Sequence, residues 1–476
     1  MTCVKRDSRS LLRFPGLGVL PGVTLLLSLV FPPHGAAVDR LEGHRQVARA
    51  LIEEGLRTCE AHAILTELTS VAGHRLSGSR GAEIAVAFAL RMMRSQGLEE
   101  VRVESLMVPR WIRGELEEAL IIGGGADTVS LSVCAVGGSI ATPEEGVFAE
   151  VVEVQSFEEL HALGERVREK IVFFNRPMDP TILDTFTAYE GAVDQRGSGA
   201  VEAALMGGVA ALIRSVTTQL DDVPHTGSMR YRKSVPKIPA AAVSTLGANR
   251  LSSLLQAGER PRVRLRLSCE TMSDVPSGNV LGQITGSKYP NEIILVGAHL
   301  DSWDKGTGAH DNGAGCAQAI EVLRLIRTLG MKPARTMRAV LFMNEENGNR
   351  GGPAYAEAPE RAGEKHIAAL ESDRGGFSPR GFTVDGDSLL LQRVERWQPL
   401  FEELGAGHFG AGHAGVDISP LVENGVPGFG LLVDDQRYFD YHHSENDTID
   451  KVHRRELEMG AIVQALLCYL ISEEGL

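Results

Sequence analysis

Four short apolar runs in the carboxyl-terminal half, at 292–298, 338–343, 367–370 and 429–433, most narrowly limit what this 476-residue chain can become. They are unbroken rather than alternating, which is the pattern of strands covered on both faces. Segments of helical length and periodicity, 315–329 and 457–471, are interspersed with them. Alternation of this kind predicts an α/β fold, a mostly parallel mixed sheet covered by helices. In open sheets of that class the functional crevice lies beyond the carboxyl ends of the strands, so the residues that follow each run carry the argument.

Those residues are metal-ligand types. The first run ends at His299-Leu300-Asp301, the next two at Glu345-Glu346 and Ser372-Asp373, and the loop after the first strand supplies Asp311-Asn312. Beyond the last run stand His442-His443 and Asp447-Thr448. One such fragment means little, because an exposed Glu-Glu pair is ordinarily a solvated surface, but their recurrence at successive strand ends is specific. Zinc takes imidazole nitrogen and carboxylate oxygen, and two ions about 3.5–4 Å apart need a carboxylate that bridges them. We assign Asp311 as the bridge, His299 and Asp373 to one ion, and Glu346 and His443 to the other. Glu345 is left as an unligated carboxylate beside the attacking water, the position of a general base. Asp301, two residues from His299, is predicted to support catalysis by accepting the other ring N–H of that histidine.

The neighbouring candidates are assigned blander roles. Only one of His442 and His443 can face the metals if the segment is extended, which leaves His442 structural or solvent-facing. His310 is a turn residue, and Asp417, Asp434 and Asp435 belong to the rim or to the framework. No Gly-x-Ser-x-Gly elbow and no His-Glu-x-x-His helix is present.

Composition excludes other classes of function. A formal charge of −14 at 43% hydrophobic residues describes a globular chain without the basic footprint of nucleic-acid binding, and an anionic membrane surface would repel it. At the amino terminus, Lys5, Arg6, Arg9 and Arg13 precede an apolar stretch broken by Pro21, and the small residues Gly35, Ala36 and Ala37 follow it. This is the pattern of a signal peptide over 1–37, with the mature protein secreted or periplasmic and free of the membrane. An uncleaved anchor is the alternative. The remaining cysteines, Cys59, Cys134, Cys269, Cys316 and Cys468, are odd in number and lack Cys-x-x-Cys spacing, which indicates neither a disulfide framework nor a thiolate zinc site.

Between the leader and the carboxyl-terminal half, helical periodicity over 38–70 and 81–96 gives way to a strand at 101–108. From 116 to 269, short Val- and Ile-rich runs alternate with Gly-, Pro- and Asp-rich turns. The expected organisation is a catalytic domain made of 38–115 and 270–476, interrupted by a β-rich insert at 116–269.

The chain resembles the co-catalytic di-zinc exopeptidases, the family of secreted aminopeptidases and glutamate carboxypeptidases. The resemblance rests on Arg75 to Ser79, Trp111 to Glu115, Gly297 to Asp304, His310 to Gly315, Asn344-Glu345-Glu346, Glu371-Ser372-Asp373, Gly415 to Ser419, Gly425 to Gly428 and His442 to Thr448. It implies two zinc ions on His299, Asp311, Glu346, Asp373 and His443, with Glu345 as base. It also implies a protease-associated domain as the insert, a cis peptide at Asp311-Asn312, short peptide substrates with free termini, and a homodimer. The chain departs from the family's pattern at Arg374-Gly375-Gly376 and at Ser444-Glu445-Asn446, where an added cation and anion bear on specificity. A carboxypeptidase or dipeptidase is the leading reading and a broad aminopeptidase on the same centre the nearest rival. A binding ectodomain that has lost its metals is disfavoured by the presence of all six key residues.

Overall fold

The computed structural model describes residues 34–122 and 128–476. The leader expected over 1–37 falls outside them as far as residue 33, and a helix runs from His34 to Thr58. Residues His44–Leu476 form one compact unit. Among the described residues no helix is long and apolar enough to cross a membrane.

Two eight-stranded sheets organise this unit. β1 (Glu99–Ile112) begins the first; β2 (Glu117–Ile122), β3 (Val129–Leu131), β4 (Val133–Ala135), β5 (Val147–Val154), β6 (Ile171–Phe174), β7 (Ala210–Arg214), β8 (Ala240–Val243) and β9 (Arg262–Leu267) make the second. The chain then returns to the first with β10 (Glu270–Ile284), β11 (Tyr289–His299), β12 (Arg335–Phe342), β13 (Lys365–Glu371), β14 (Pro379–Asp385), β15 (His408–Ala411) and β16 (Gly428–Val433).

The first sheet has the order β1-β10-β12-β11-β13-β16-β14-β15, and its centre, β12-β11-β13-β16, is parallel. That centre coincides with the four unbroken apolar runs. Ile293 to Val296 and Met337 to Phe342 are at most 2% exposed, as strands covered by helices on both faces must be. The helices Ala314–Thr328 and Arg454–Glu474 cover one face and are joined by Gln318, whose side-chain amide donates to the Leu457 carbonyl at 3.1 Å. Strands that the sequence reading did not resolve, β10, β14 and β15, extend the sheet with antiparallel pairs at β1/β10, β10/β12 and β14/β16.

The second sheet runs β3-β2-β9-β5-β6-β7-β8-β4, parallel from β5 to β8. A 21-residue helix, Thr185–Leu205, lies within this stretch and was not foreseen. Its apolar contrast is weak, because the buried positions are filled by Ala188, Ala192, Gln195, Arg196 and Gly199 rather than by large aliphatics. Its start is nevertheless well defined: the Asp184 side chain accepts from the Thr187 N–H at 2.7 Å.

The sheets meet at Arg113. This buried guanidinium binds Asp304 of the first-sheet loop in a two-pronged pair at 2.6 and 2.9 Å, and reaches Glu117 at 2.8 Å and the Ala135 carbonyl at 2.6 Å on the second-sheet side. All five described cysteines are buried and free.

Candidate metal centre and active site

The carboxyl ends of β11, β12 and β13 and the loop after β16 converge on Asp311. Its Oδ1 lies 3.2 Å from His299 Nε2, and its Oδ2 lies 3.2 Å from His443 Nε2. Asp373 Oδ1 is 3.3 Å from the same His299 nitrogen, and Glu346 Oε2 is 3.1 Å from the same His443 nitrogen. The five residues named as ligands are therefore gathered into two groups that share Asp311, and Glu345 stands beside them in the same cleft.

This donor set fits divalent metal. Asp311 Oδ2, Glu346 Oε1 and Asp373 Oδ1 are buried oxygens without a hydrogen-bond donor, a costly arrangement unless a cation takes them. Burial and mutual repulsion act together on the acids. Burial pushes Glu345 up to about 8, and Asp373 and Asp301 press in the same direction. Glu346 is raised by burial and by Asp311. A bound cation relieves both causes, since it compensates lost solvation and separates like charges.

Several contacts aim these ligands. His310 N–H and Asp311 N–H donate to the two oxygens of Asp447 at 2.6 and 3.0 Å, which fixes the main chain that carries the shared carboxylate. The Asp311-Asn312 peptide is cis, and Asn312 reaches the Ser372 carbonyl at 2.8 Å, next to Asp373. Arg75, fully buried, donates to the carbonyls of Leu300, Thr307 and Gly308, and thereby gathers the loop between His299 and Asp311. Gly308 has φ +59, and a side chain there would run into Ser302.

Asp301 requires a correction. The His299 Nδ1–H is taken by the main-chain carbonyl of Asp301 at 3.0 Å, while the carboxylate stands 3.9 Å away. That carboxylate is committed to other donors: the Ser77 hydroxyl at 2.9 Å and the N–H groups of Asn344, Glu345 and Glu346 at 2.8, 3.1 and 3.4 Å. Asp301 thus shapes the turn that presents Glu345 and Glu346. Asn344, in the left-handed region at φ 77, makes that turn possible.

The lesser candidates are also located. His442 is buried rather than solvent-facing, stacked 3.4 Å on His443, with Nε2 3.8 Å from Asp311. His310 sits between Phe377 and Tyr441 and accepts from the Gly376 N–H at 3.1 Å. Asp417 is buried against Glu371, and Asp435 is paired with Arg374 at 3.1 Å. Arg374, the added cation, is engaged in this way and lies 4.0 Å over the Phe186 ring, while Glu445 is exposed.

Sequence reasoning missed the opposite wall. The second sheet grips the His443 loop through its main chain: Thr226 N–H donates to the His443 carbonyl at 2.9 Å, and His225 Nδ1 lies 2.7 Å from the His442 carbonyl. From the same side Arg196, buried and bonded to the Tyr189 hydroxyl at 2.6 Å, faces His443, and Ser228 and Arg230 line the cleft. The buried Tyr438 ring completes it; burial and the carboxylates of Asp311 and Asp373 raise its phenol, so it stays neutral. Only the three-dimensional join of the two sheets reveals these residues, because none stands at a patterned spacing from the ligands.

Known proteins place this arrangement. The pattern of peptidase family M28 matches residues 279–467. Carboxypeptidase Q of Bos taurus is 37% identical over 91% of this chain and 90% of its own length. The crystal structure of a peptidase M28 precursor from Shewanella amazonensis superposes with a TM-score of 0.87 at 35% identity, over 92% of this chain and 98% of that one. BSAP, a zinc aminopeptidase from Bacillus subtilis, shares the fold at a TM-score of 0.62 and 19% identity, over 86% and 93%. With the likeness to carboxypeptidase Q running through nearly all of its length, the chain belongs to peptidase family M28, as a zinc exopeptidase.

Proposed function

We propose that this is an exported two-zinc exopeptidase that hydrolyses dipeptides or short peptides with free termini, of the carboxypeptidase or dipeptidase type. The observation that carries the reading is the position of Asp311 between two ligand groups, His299 with Asp373 and Glu346 with His443, at 3.1–3.3 Å. The residues 116–269 are read as a protease-associated domain, and the mature chain as a homodimer. Export is supported by the leader pattern of residues 1–37.

Bound zinc supplies Lewis acidity toward the scissile carbonyl and lowers the pKa of the attacking water. His299, Asp373, Glu346 and His443 would hold the ions, with Asp311 shared between them. The Glu345 carboxylate takes the proton from the water and returns it to the nitrogen of the leaving amine.

The test is hydrolysis of an unblocked dipeptide panel by the zinc-loaded mature protein, beside a chelated sample and Glu345→Gln. Chelation is expected to abolish cleavage, and Glu345→Gln to lower kcat by about 10²–10⁴-fold with zinc retained. Full activity of the variant would remove Glu345 from the mechanism. Amino-terminally acetylated and carboxyl-terminally amidated peptides decide the terminus: loss on amidation supports the carboxypeptidase reading, loss on acetylation the aminopeptidase one.

A further inference from the structure

The two histidines that stand on opposite sides of Asp311 are held in different ways. His299 is held from within its own loop, where its Nδ1–H meets the main-chain carbonyl of Asp301, two residues away, at 3.0 Å. His443 has no such local support. It sits in the left-handed region at φ 60, a conformation that a residue with a Cβ keeps only when its surroundings hold it there.

Those surroundings come from the second sheet. The connection between β7 and β8 brings His225 and Thr226, both buried, against residues 442 and 443. Burial lowers His225 to about 4, so its ring is neutral, and because a carbonyl only accepts, the ring proton is on Nδ1, 2.7 Å from the His442 oxygen. Thr226 N–H donates to the His443 carbonyl at 2.9 Å, and the Thr226 main chain hydrogen-bonds the His443 ring in return. The pair is itself fixed. His225 N–H donates to Ser215 Oγ at 2.9 Å, while the Thr226 hydroxyl accepts from Arg113 at 3.2 Å and donates to the Ala135 carbonyl at 2.9 Å. A ligand on the first-sheet side thus takes its backbone conformation and its ring orientation from a segment that stands 217 residues earlier in the chain.

We propose that His225 and Thr226 are positioning residues for His443, so that the second sheet sets the zinc affinity of the Glu346–His443 position and leaves that of the His299–Asp373 position alone. The proposal rests on the two-zinc reading above and deepens it by making the two positions unequal. Partners that fix the ring of a ligating histidine are worth about 10–100-fold in metal affinity. Without the hold, His443 relaxes out of its left-handed conformation and carries Nε2 away from Asp311 and Glu346, which lie 3.2 and 3.1 Å from it. His299 keeps its own acceptor throughout.

The test reads zinc affinity, by competition with a chelator, rather than turnover. It uses Asp373→Ala protein, which keeps the Glu346–His443 position, and Glu346→Ala protein, which keeps the other. Adding His225→Phe, which fills the space of the ring without its donor, is expected to weaken zinc about 10–100-fold in the first background and to leave it unchanged in the second. His225→Asn, whose amide N–H reaches toward the same carbonyl, should recover most of the loss. Equal weakening in both backgrounds, no weakening in either, or no recovery with His225→Asn overturns the proposal. If His225→Phe does not fold, Thr226→Val, which releases the segment from Arg113 and Ala135, takes its place under the same criteria, with Thr226→Ser as the variant that recovers. Uptake of a single zinc by the unsubstituted protein would end the two-zinc reading by itself. The positioning role is then decided on that one ion: weakening by His225→Phe with recovery in His225→Asn supports it, and an unchanged ion overturns it.

Discussion

The wall of the cleft that comes from the first sheet is held from behind by its own main chain, whereas the facing wall, beside the anchored Arg196 and His225, presents two side chains, Ser228 and Arg230, without a partner among the described residues. Asp301 receives four donors and Asp447 two main-chain N–H groups, and both carboxylates serve to aim Asp311, Glu345 and Glu346. Ser228 and Arg230, across the cleft, have no side-chain partner among the described residues. Groups that must keep sub-ångström relations are immobilised by several bonds each, and groups that must adapt to different substrates keep their rotamer freedom until binding.

That contrast can be broken first at the seam. Arg113→Ala strips the half-buried Asp304 carboxylate of its two-pronged partner, while Glu117 keeps Lys305 at 3.1 Å, and is expected to cost about 3 kcal/mol in denaturant unfolding. A variant as stable as the wild type would show that the two walls are joined elsewhere. Asp447→Asn tests whether the ligand wall depends on its backing. An amide has only one acceptor to offer the two N–H groups, so zinc affinity is expected to weaken by about 10–100-fold, read by competition with a chelator. Unchanged affinity would mean that Asp311 needs no such support.

The smallest effect separates a metal site from a mere gathering of acids. Glu458 lies beside Glu321 between the helices Arg454–Glu474 and Ala314–Thr328, where burial and its neighbour push it up to about 9. Among the described residues no histidine joins them, and the Arg324 guanidinium takes both oxygens of Glu321 at 2.6 and 2.7 Å, which leaves Glu458 to be relieved by a proton. The folded protein keeps a proton that the unfolded chain releases above its ordinary carboxyl range, and stability therefore falls as pH rises from about 5 to 9. Glu458→Gln should flatten that slope and gain about 1 kcal/mol near pH 8, measured as thermal midpoints across pH. An identical pH slope in the variant would place the proton elsewhere.

How much of this was legible in the sequence follows the same division. The centre of the first sheet showed itself because strands buried on both faces must be apolar throughout, and the ligands because they stand at the ends of those strands. His299, Asp311, Glu346, Asp373 and His443 are brought together as their spacing suggested. The acceptor of the His299 N–H was misjudged, since nothing in the spacing distinguishes the carboxylate of Asp301 from its carbonyl. Helix Thr185–Leu205 escaped notice because its buried face is made of alanine, glycine and polar residues. Arg196, Ser228 and Arg230 escaped because their distance to the ligands is set by the docking of one sheet on another, which leaves no periodic trace.

The second sheet holds the ligand loop through main-chain atoms, Thr226 N–H to the His443 carbonyl, and this has a consequence for substitution. The segment that follows is closed on itself: the Tyr231 hydroxyl donates to the Ile238 carbonyl at 2.6 Å and accepts from the Ile140 N–H at 3.1 Å. Residues 228–237 are therefore anchored by main-chain bonds before the segment and by the Tyr231 side chain within it. The exposed side chains along it, Arg230, Arg232, Lys233 and Lys237, can be exchanged at the bench without disturbing the loop that carries His443, while Met229, Tyr231 and Val235 stay packed. The exposed positions of this segment can thus vary while the loop that carries His443 stays in place.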